Sequence, residues 1–193
     1  MKSVIFNAEE VRATLEGKKT QFRMVIKPQP EERLKGYFYL PNETTGYCGS
    51  LFALKCHFGK IGDKIFVKES FSIDGISLQD VWYWADGNPE FGDWTKPKPP
   101  QHMKQEQSRL TLRIKDIGVE RIGEISEEDA ACEAGVFKSE NYWHSTLHPT
   151  KGTYQCWTTA KEAFGKLWNK KHPKHSFESN CWVWKIEFEV IND

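Results

Sequence analysis

The chain has 193 residues, and its 27 Lys plus Arg balance 27 Asp plus Glu, so the formal net charge is zero. A neutral chain has no global field that draws it to DNA, RNA or a membrane, so any such contact depends on a local patch. The length suits one domain with a sizeable core. Five cysteines without CxxC spacing indicate a reducing compartment and argue against a disulfide framework.

The first residues give no sign of export or membrane insertion. The stretch MKSVIFNAEEVRATLEG becomes charged too early for a signal peptide. No apolar run approaches membrane-spanning length. We therefore expect a cytoplasmic protein without a membrane partner.

The first half of the chain predicts one helix, one clear strand and a long loop. Asn7 can cap a helix near 8–16, with acidic residues in its first turn and Gly17 as its stop. The alternation in GKIGDKIFVKESF predicts a strand near 64–69. The stretch GNPEFGDWTKPKPPQH is rich in proline and glycine and predicts a loop, where binding residues are often carried.

The second half predicts two more strands and two more helices. Alternating residues predict strands near 109–117 and 182–190. SEEDAACEAG predicts a helix near 126–134, and TTAKEAFGKLWNKKH predicts another near 159–170. This order lacks the regular β-α alternation of a parallel sheet. It fits an α+β fold, a small barrel with helices packed on it, in one domain over 1–193.

Common catalytic and metal-binding motifs are missing from the sequence. It contains no GxGxxG, Walker, HExxH or GxSxG pattern. The nearest metal pattern is His144 and His148 followed by Cys156, and no acidic third ligand is near. We predict no metal and no cofactor. Trp94, in the long loop, is placed to stack on a base.

Six ordered blocks of the sequence resemble the motifs of phage and prophage ASCH-domain proteins. They are EGKKTQFRMVIKPQP, GDKIFVKESF, WTKPKPPQHM with SRLTLRI, VERIGEISEEDAACEAGV, FGKLWN and NCWVWKIEFEVI. The resemblance runs from residue 4 to 191. It leaves roughly 33–59 and 138–158 outside, which we interpret as insertions or variable loops.

The resemblance implies a PUA-like small β-barrel with flanking short helices, a fold used to handle RNA and modified nucleosides. It also implies a bacterial or phage-infected host cell. In the characterised amidohydrolase branch, a Lys, a Thr and a Glu remove the acyl group of N4-acetylcytidine. The lysine of that motif falls on Lys19 and the glutamate on Glu133. The nucleophilic threonine falls on Phe22, which departs from the family pattern.

This departure bears directly on activity. Amide hydrolysis needs a nucleophile, a base and an acid for the leaving amine. Burial disfavours the ammonium form, so a desolvated Lys19 can act as a base, and Glu133 can donate to the leaving nitrogen. A phenyl ring cannot attack a carbonyl, and Thr20 points away from Lys19 on an extended chain. Hydrolysis then requires a local turn that re-aims Thr20, or a water activated by Lys19. The enzyme question stays open, with weak or no turnover expected.

Three hypotheses follow from the sequence. The first is binding of RNA, single-stranded nucleic acid or a modified nucleoside in a cleft at the barrel mouth. The second is a hydrolase, either an amidohydrolase that uses Lys19 and Glu133 or a metal-dependent ribonuclease. The third is a phage accessory protein that contacts a host protein. The residues assigned to the binding cleft are Lys19, Thr20, Arg23, Glu69, Trp94, Arg109 and Glu133.

Purely structural roles remain open for several of these residues. Lys19 can pair with Glu133 only to satisfy a buried carboxylate. Glu69 can bond barrel backbone or Arg109, which is either structural or a phosphate-binding arginine. The missing threonine favours binding over amide hydrolysis, and the sequence does not set the oligomeric state.

Overall fold

A computed structural model describes residues 1–34, 37–39, 47–48, 55–146 and 156–191, with only the backbone of 32–34, 37–39 and 47–48. Of the predicted insertions near 33–59 and 138–158, residues 35–36, 40–46, 49–54 and 147–155 lie outside the described residues. The chain divides into a first unit of Met1–Thr20, Phe58–Lys115 and Phe188–Asp193 and a second unit of Gln21–His57 and Asp116–Glu187. Because both units are built from separated stretches, no linker in the sequence marks their boundary.

Strands and three α-helices alternate irregularly along the described chain, joined by short 3-10 turns. In chain order they are β1 (Lys2–Ile5), α1 (Ala8–Leu15), β2 (Gln21–Val25), β3 (Glu31–Leu34), β4 (Tyr37–Tyr39), β5 (Tyr47–Cys48), β6 (Lys64–Lys68), β7 (Phe71–Ile73), β8 (Val81–Tyr83), β9 (Thr111–Arg121), α2 (Glu127–Ala131), β10 (Val136–Ser139), β11 (Tyr142–Ser145), α3 (Ala160–Lys171) and β12 (Trp182–Ile191).

The architecture is mixed α+β, as predicted. In the first unit the strand order is β1–β6–β9–β12, and in the second it is β9–β12–β2, since β9 and β12 each run from one unit into the other. Within the described residues, β1 and β2 have no further strand neighbour, so these strands do not close into a barrel. No helix in the described part is both long and apolar enough to cross a membrane.

In the first unit, short-range signals and strand pairing together fix the N-terminal elements. Asn7 Oδ1 accepts a hydrogen bond from the Glu10 amide at 2.8 Å, and the Glu10 carboxylate accepts from the Asn7 amide at 2.9 Å. This reciprocal cap satisfies two amides at the start of α1. Next, β1 pairs with β6 in parallel and β6 with β9 in antiparallel register. The predictions of a helix near 8–16 and a strand near 64–69 are confirmed.

Residue Phe188, far along the chain, completes this unit. Its amide donates to the Thr20 carbonyl at 2.8 Å. Its ring centroid lies 6.1 Å from that of Phe6, and both rings are buried. The first unit therefore depends on a residue from β12.

A small sheet in the first unit holds part of the long proline-rich loop. β7 pairs with β8 in antiparallel register, and the loop forms two bridges here, one from Lys98 to Phe71 of β7 and one from Trp94 to Asp74, just after β7. Ser72 accepts a hydrogen bond from Trp84 Nε1 at 2.9 Å on one face of β7. Since side chains alternate along a strand, Phe71 and Ile73 face the other side.

The second unit packs α2 and α3 against the β12–β2 pair. β2 and β12 are antiparallel, with Phe22 opposite Ile186 and Val25 opposite Val183. The buried core cluster there includes Val25, Ile122, Ile125, Ala130, Ala163, Trp168 and Val183. The predicted helices near 126–134 and 159–170 and the strands near 109–117 and 182–190 are confirmed, although α2 is shorter and β9 longer than predicted.

Candidate functional site

An open groove of about 710 Å³ lies in the first unit, along one side of the small sheet. Its described lining includes the cationic or titratable residues Lys96, Lys98, His102 and Lys104, and no acidic residue. The remaining lining residues are Phe71, Ile73, Thr95, Pro97, Pro99 and Gln107. The groove thus combines apolar side chains with three lysines and a histidine.

The backbone beneath these lysines is held in place. The amide of Lys98 donates to the Phe71 carbonyl at 2.7 Å, and the Phe71 amide donates back at 3.2 Å. Lys98 Nζ lies 6.0 Å from the centre of the Phe71 ring. Pro97 and Pro99 restrict the backbone on either side of Lys98. The lysine ammonium groups are therefore carried by an ordered segment.

Trp94 lies next to the groove without being one of its lining residues. Its Nε1 donates to the Phe91 carbonyl at 2.7 Å. Its ring centroid lies 5.8 Å from that of Trp82, with the planes tilted by 50°. The Trp94 side chain is half-buried, and Thr95, which follows it, does line the groove.

Glu69 and Arg109 are brought together in the first unit. Arg109 donates to both oxygens of Glu69 at 2.9 and 3.0 Å and to both oxygens of Asp86 at 2.7 and 2.9 Å. Its guanidinium also lies 4.2 Å from the centre of the Tyr83 ring. Burial raises the pKa of Glu69 above its ordinary value, and the bonds from Arg109 offset this only in part. These contacts favour the structural role for Arg109.

Arg23 is the centre of an ion cluster in the second unit. It donates to Glu120 at 2.6 Å, to Asp129 at 2.7 Å and to Glu133 at 3.2 Å, and its side chain is 1% exposed. Burial lowers the pKa of Arg23, but attraction to Glu120 and Glu133 outweighs it and raises the pKa above the ordinary value. The guanidinium predicted to meet a ligand therefore has three carboxylate partners within the protein.

Two neighbours extend this cluster. Lys185 Nζ lies 3.2 Å from Asp129 and 3.4 Å from Glu187. Burial tends to raise the pKa of Asp129, but hydrogen bonds from Gln21, Arg23 and Lys185 lower it below its ordinary value. Because Gln21 and Arg23 are two apart on β2, they share a face of the strand. The sequence therefore predicts that Gln21 and Arg23 share a face. It does not predict which acidic residues contact them.

The residues of the proposed hydrolase chemistry are divided between the units. Lys19 and Thr20 belong to the first unit, whereas Phe22 and Glu133 belong to the second. Lys19 is buried, with its Nζ 5.8 Å from the centre of the Phe6 ring. Thr20 is exposed. Phe22 is a buried residue of β2 and supplies no hydroxyl nucleophile.

Several residues of these sites were not singled out from the sequence. They are Lys96, Lys98, Lys104, Asp86, Glu120 and Asp129. The alternation of lysine and proline in TKPKPP was the available signal for the groove. Of the His144, His148 and Cys156 pattern, on which no metal site was predicted, His148 lies outside the described residues. In the part that is described, no group of three or more His, Cys, Asp or Glu side chains is arranged to hold a metal ion.

Comparisons with known proteins add no assignment to this geometry. No family model, curated protein or solved structure matches the chain. The resemblance to ASCH domains therefore rests on the sequence motifs.

Proposed function

We propose that this chain binds single-stranded nucleic acid, RNA or DNA, in the lysine-lined groove of the first unit. The observation that carries the proposal is the groove itself, whose described lining combines Lys96, Lys98 and Lys104 with apolar residues and contains no carboxylate. Since the net charge is zero, a local patch of this kind is what contact with phosphates requires.

The two parts of the groove suit the two parts of a nucleotide. Lysines neutralise phosphates and release the counterions condensed on the strand, which supplies affinity without reading sequence. Apolar and aromatic surfaces accept the faces of unpaired bases. Ile73, Pro97 and Pro99 provide such a surface within the groove, and Trp94 provides one beside it.

The six motif blocks support an ASCH-type domain with a PUA-like barrel as the framework for this site. Two further observations favour binding over amide hydrolysis. Phe22 takes the place of the nucleophile and is packed in the core. One oxygen of Glu133, the predicted acid, accepts a hydrogen bond from Arg23. The cation-lined groove is therefore the stronger basis for a function.

A salt titration tests the proposal. Labelled RNA and DNA oligonucleotides of mixed sequence are titrated with the native protein and with the triple variant Lys96→Gln, Lys98→Gln, Lys104→Gln, and fluorescence anisotropy is recorded. Each phosphate contact on a single strand contributes about 0.7 to the slope of log affinity against log salt. Three lost contacts should reduce that slope by about 2.

The matched control removes the same charge elsewhere. Lys166, Lys170 and Lys171 are exposed on α3 in the second unit, and their replacement by glutamine should leave the slope unchanged. An affinity that does not change with salt concentration, or an equal reduction of the slope in both triple variants, would contradict a groove site. A preference for RNA or for DNA would show which strand the groove accepts.

Trp94→Ala tests stacking beside the groove. If a base stacks on this indole, the variant should lose about 1–3 kcal/mol of binding free energy, while Trp94→Phe should retain most of it. The salt slope should stay the same in both variants, because neither removes a charge. Native affinity in Trp94→Ala would show that bases contact other surfaces.

A further inference from the structure

Beside the groove, two adjoining loops of the first unit form an apolar projection, called here the knob and comprising residues 74–80 and 90–93. Ile76, Leu78 and Phe91 are 82%, 69% and 86% exposed. Single exposed apolar residues are ordinary, but three large ones on two hydrogen-bonded loops indicate an interaction surface.

Hydrogen bonds hold the knob in one conformation. The Gly75 amide donates to the Asp93 carbonyl, which joins the two loops. The Asp74 carboxylate accepts from the Ser77 amide at 2.6 Å, and the Ser77 hydroxyl donates to Asp80 at 3.1 Å. Leu78 has a φ of 58°, in the left-handed region that side chains disfavour. The turn therefore holds Leu78 in an unfavourable backbone conformation while exposing its side chain.

The charges of the knob are opposite to those of the groove. The ionisable residues of the knob are all carboxylates: Asp74, Asp80, Glu90 and Asp93. The lining of the groove next to it includes apolar residues and three lysines, and no carboxylate in the described part. The two surfaces adjoin directly, because Ile73 and Thr95 line the groove while Asp74 and Asp93 belong to the knob.

We propose that two copies of this chain associate through this face, with the knob of each copy seated in the groove of the other. Because knob and groove adjoin in one chain, a two-fold arrangement makes both contacts at once, as in an isologous interface. Apolar groups meet the apolar lining residues of the groove, and the carboxylates meet the lysines. The acidic rim of the knob repels phosphates, which disfavours nucleic acid or an anionic membrane as its partner.

The dimer has a consequence for the groove, and only this consequence rests on the proposed function. A knob and a nucleic-acid strand cannot fill the same groove together. Self-association and oligonucleotide binding should therefore compete, so that the dimer is the form with its nucleic-acid site covered.

Sedimentation and light scattering across a wide range of protein concentration test the dimer. We expect the native chain to approach twice its monomer mass, less readily at high salt because salt screens the charge pairs. Ile76→Ser with Leu78→Gly should remain monomeric, as should Lys96→Glu with Lys98→Glu. Glycine accepts the φ of Leu78 without strain, so the knob variant should keep the native melting temperature. Ile61→Ser, at an exposed apolar residue outside the knob, should dimerise normally.

Mixing the two monomeric variants provides a second readout. The knob variant keeps its groove and the groove variant keeps its knob, so an equimolar mixture should regain one of the two contacts and form a weak heterodimer. A native protein that stays monomeric at every concentration would overturn the inference. Native-like dimers in both variants would overturn it as well, and so would assemblies that grow beyond two chains.

Adding a single-stranded oligonucleotide to the native dimer separates this inference from the proposed function. We expect the dimer fraction to fall as the oligonucleotide binds. An oligonucleotide that binds without dissociating the dimer would show that the two do not share the groove. The triple lysine variant Lys96→Gln, Lys98→Gln, Lys104→Gln then decides: lost oligonucleotide binding would reject the groove as the dimer contact, and retained binding would reject it as the nucleic-acid site. If the native protein is a dimer, both variants are monomers and no oligonucleotide binds, the inference is supported and the nucleic-acid function is rejected.

Discussion

Replacing Arg23 by glutamine should lower the free energy of unfolding by about 3–5 kcal/mol at neutral pH, the usual cost of removing one partner from a buried ion pair. The guanidinium is almost fully buried and donates to Glu120, Asp129 and Glu133. Glutamine cannot neutralise these carboxylates, so the variant retains partly buried negative charges without their cation.

The loss of unfolding free energy in Arg23→Gln should become smaller as pH falls. The pKa of Asp129 is lowered in the native fold. This carboxyl therefore stabilises the native protein above its unfolded pKa, and that contribution is lost as pH falls through the lower native pKa. Without Arg23 that contribution is diminished. The difference between the proteins should be largest near pH 7 and should shrink only as pH falls below about 4, the ordinary pKa of aspartate, for example to about pH 3. Urea unfolding at both pH values measures it.

Lys185→Gln is the matched control in the same cluster. Lys185 also contacts Asp129, but its side chain is 26% exposed, so the pair is partly screened by water. We expect a loss of about 1 kcal/mol or less. Equal losses in both variants, or a deficit in Arg23→Gln that is the same at both pH values, would contradict the cluster as the cause.

Replacing Arg109 by glutamine should also destabilise the protein, by about 3 kcal/mol. Glu69 is buried and loses its bidentate partner, and Asp86 loses the same cation. Burial already raises the pKa of Glu69, so the fold favours the protonated carboxyl. A group with a raised native pKa stabilises the fold at low pH and loses that effect as pH rises through the native pKa. Since loss of Arg109 should raise this pKa further, the deficit should shrink as the solution is acidified.

Arg113→Gln is the control for Arg109→Gln. Arg113 pairs with Glu189 at 3.0 Å, but both side chains are nearly half exposed and screened by water, so its loss should cost about 1 kcal/mol or less. Oligonucleotide binding separates the two roles that the sequence left open for Arg109. If its guanidinium serves only Glu69 and Asp86, the salt slope should not change. A slope reduced by about 0.7 would instead count Arg109 as a phosphate contact.

Local signals in the sequence predicted the elements that local physics controls. α1 begins after Asn7 and α2 after Ser126, because each of these side chains accepts a hydrogen bond from a backbone amide of the first turn. The groove has no such signature. It forms where the segment 94–98 bridges β7, a pairing between residues distant in sequence. A proline-rich stretch predicts a loop equally well whether or not a strand holds it.

For the site residues too, local features could be predicted from the sequence and long-range contacts could not. The motif around Arg23 marked this position as important, and alternation along β2 shows which neighbours share its face. Its partners Glu120 and Asp129 lie about one hundred positions further along the chain. No spacing rule links residues so far apart, so the sequence could not distinguish a cation that meets a ligand from one enclosed by carboxylates.

The place of Phe188 in the first unit has a consequence during synthesis on the ribosome. Most of this unit has been translated once Lys115 is made, but the strand segment that packs against Phe6 and bonds Thr20 is translated much later. Until then, nascent β1, α1 and β6 lack the β12 segment that contains Phe188. Their apolar surface remains exposed, and chaperones can bind it. The first unit, although begun first, should reach its protease-resistant state only after the second unit has been synthesised.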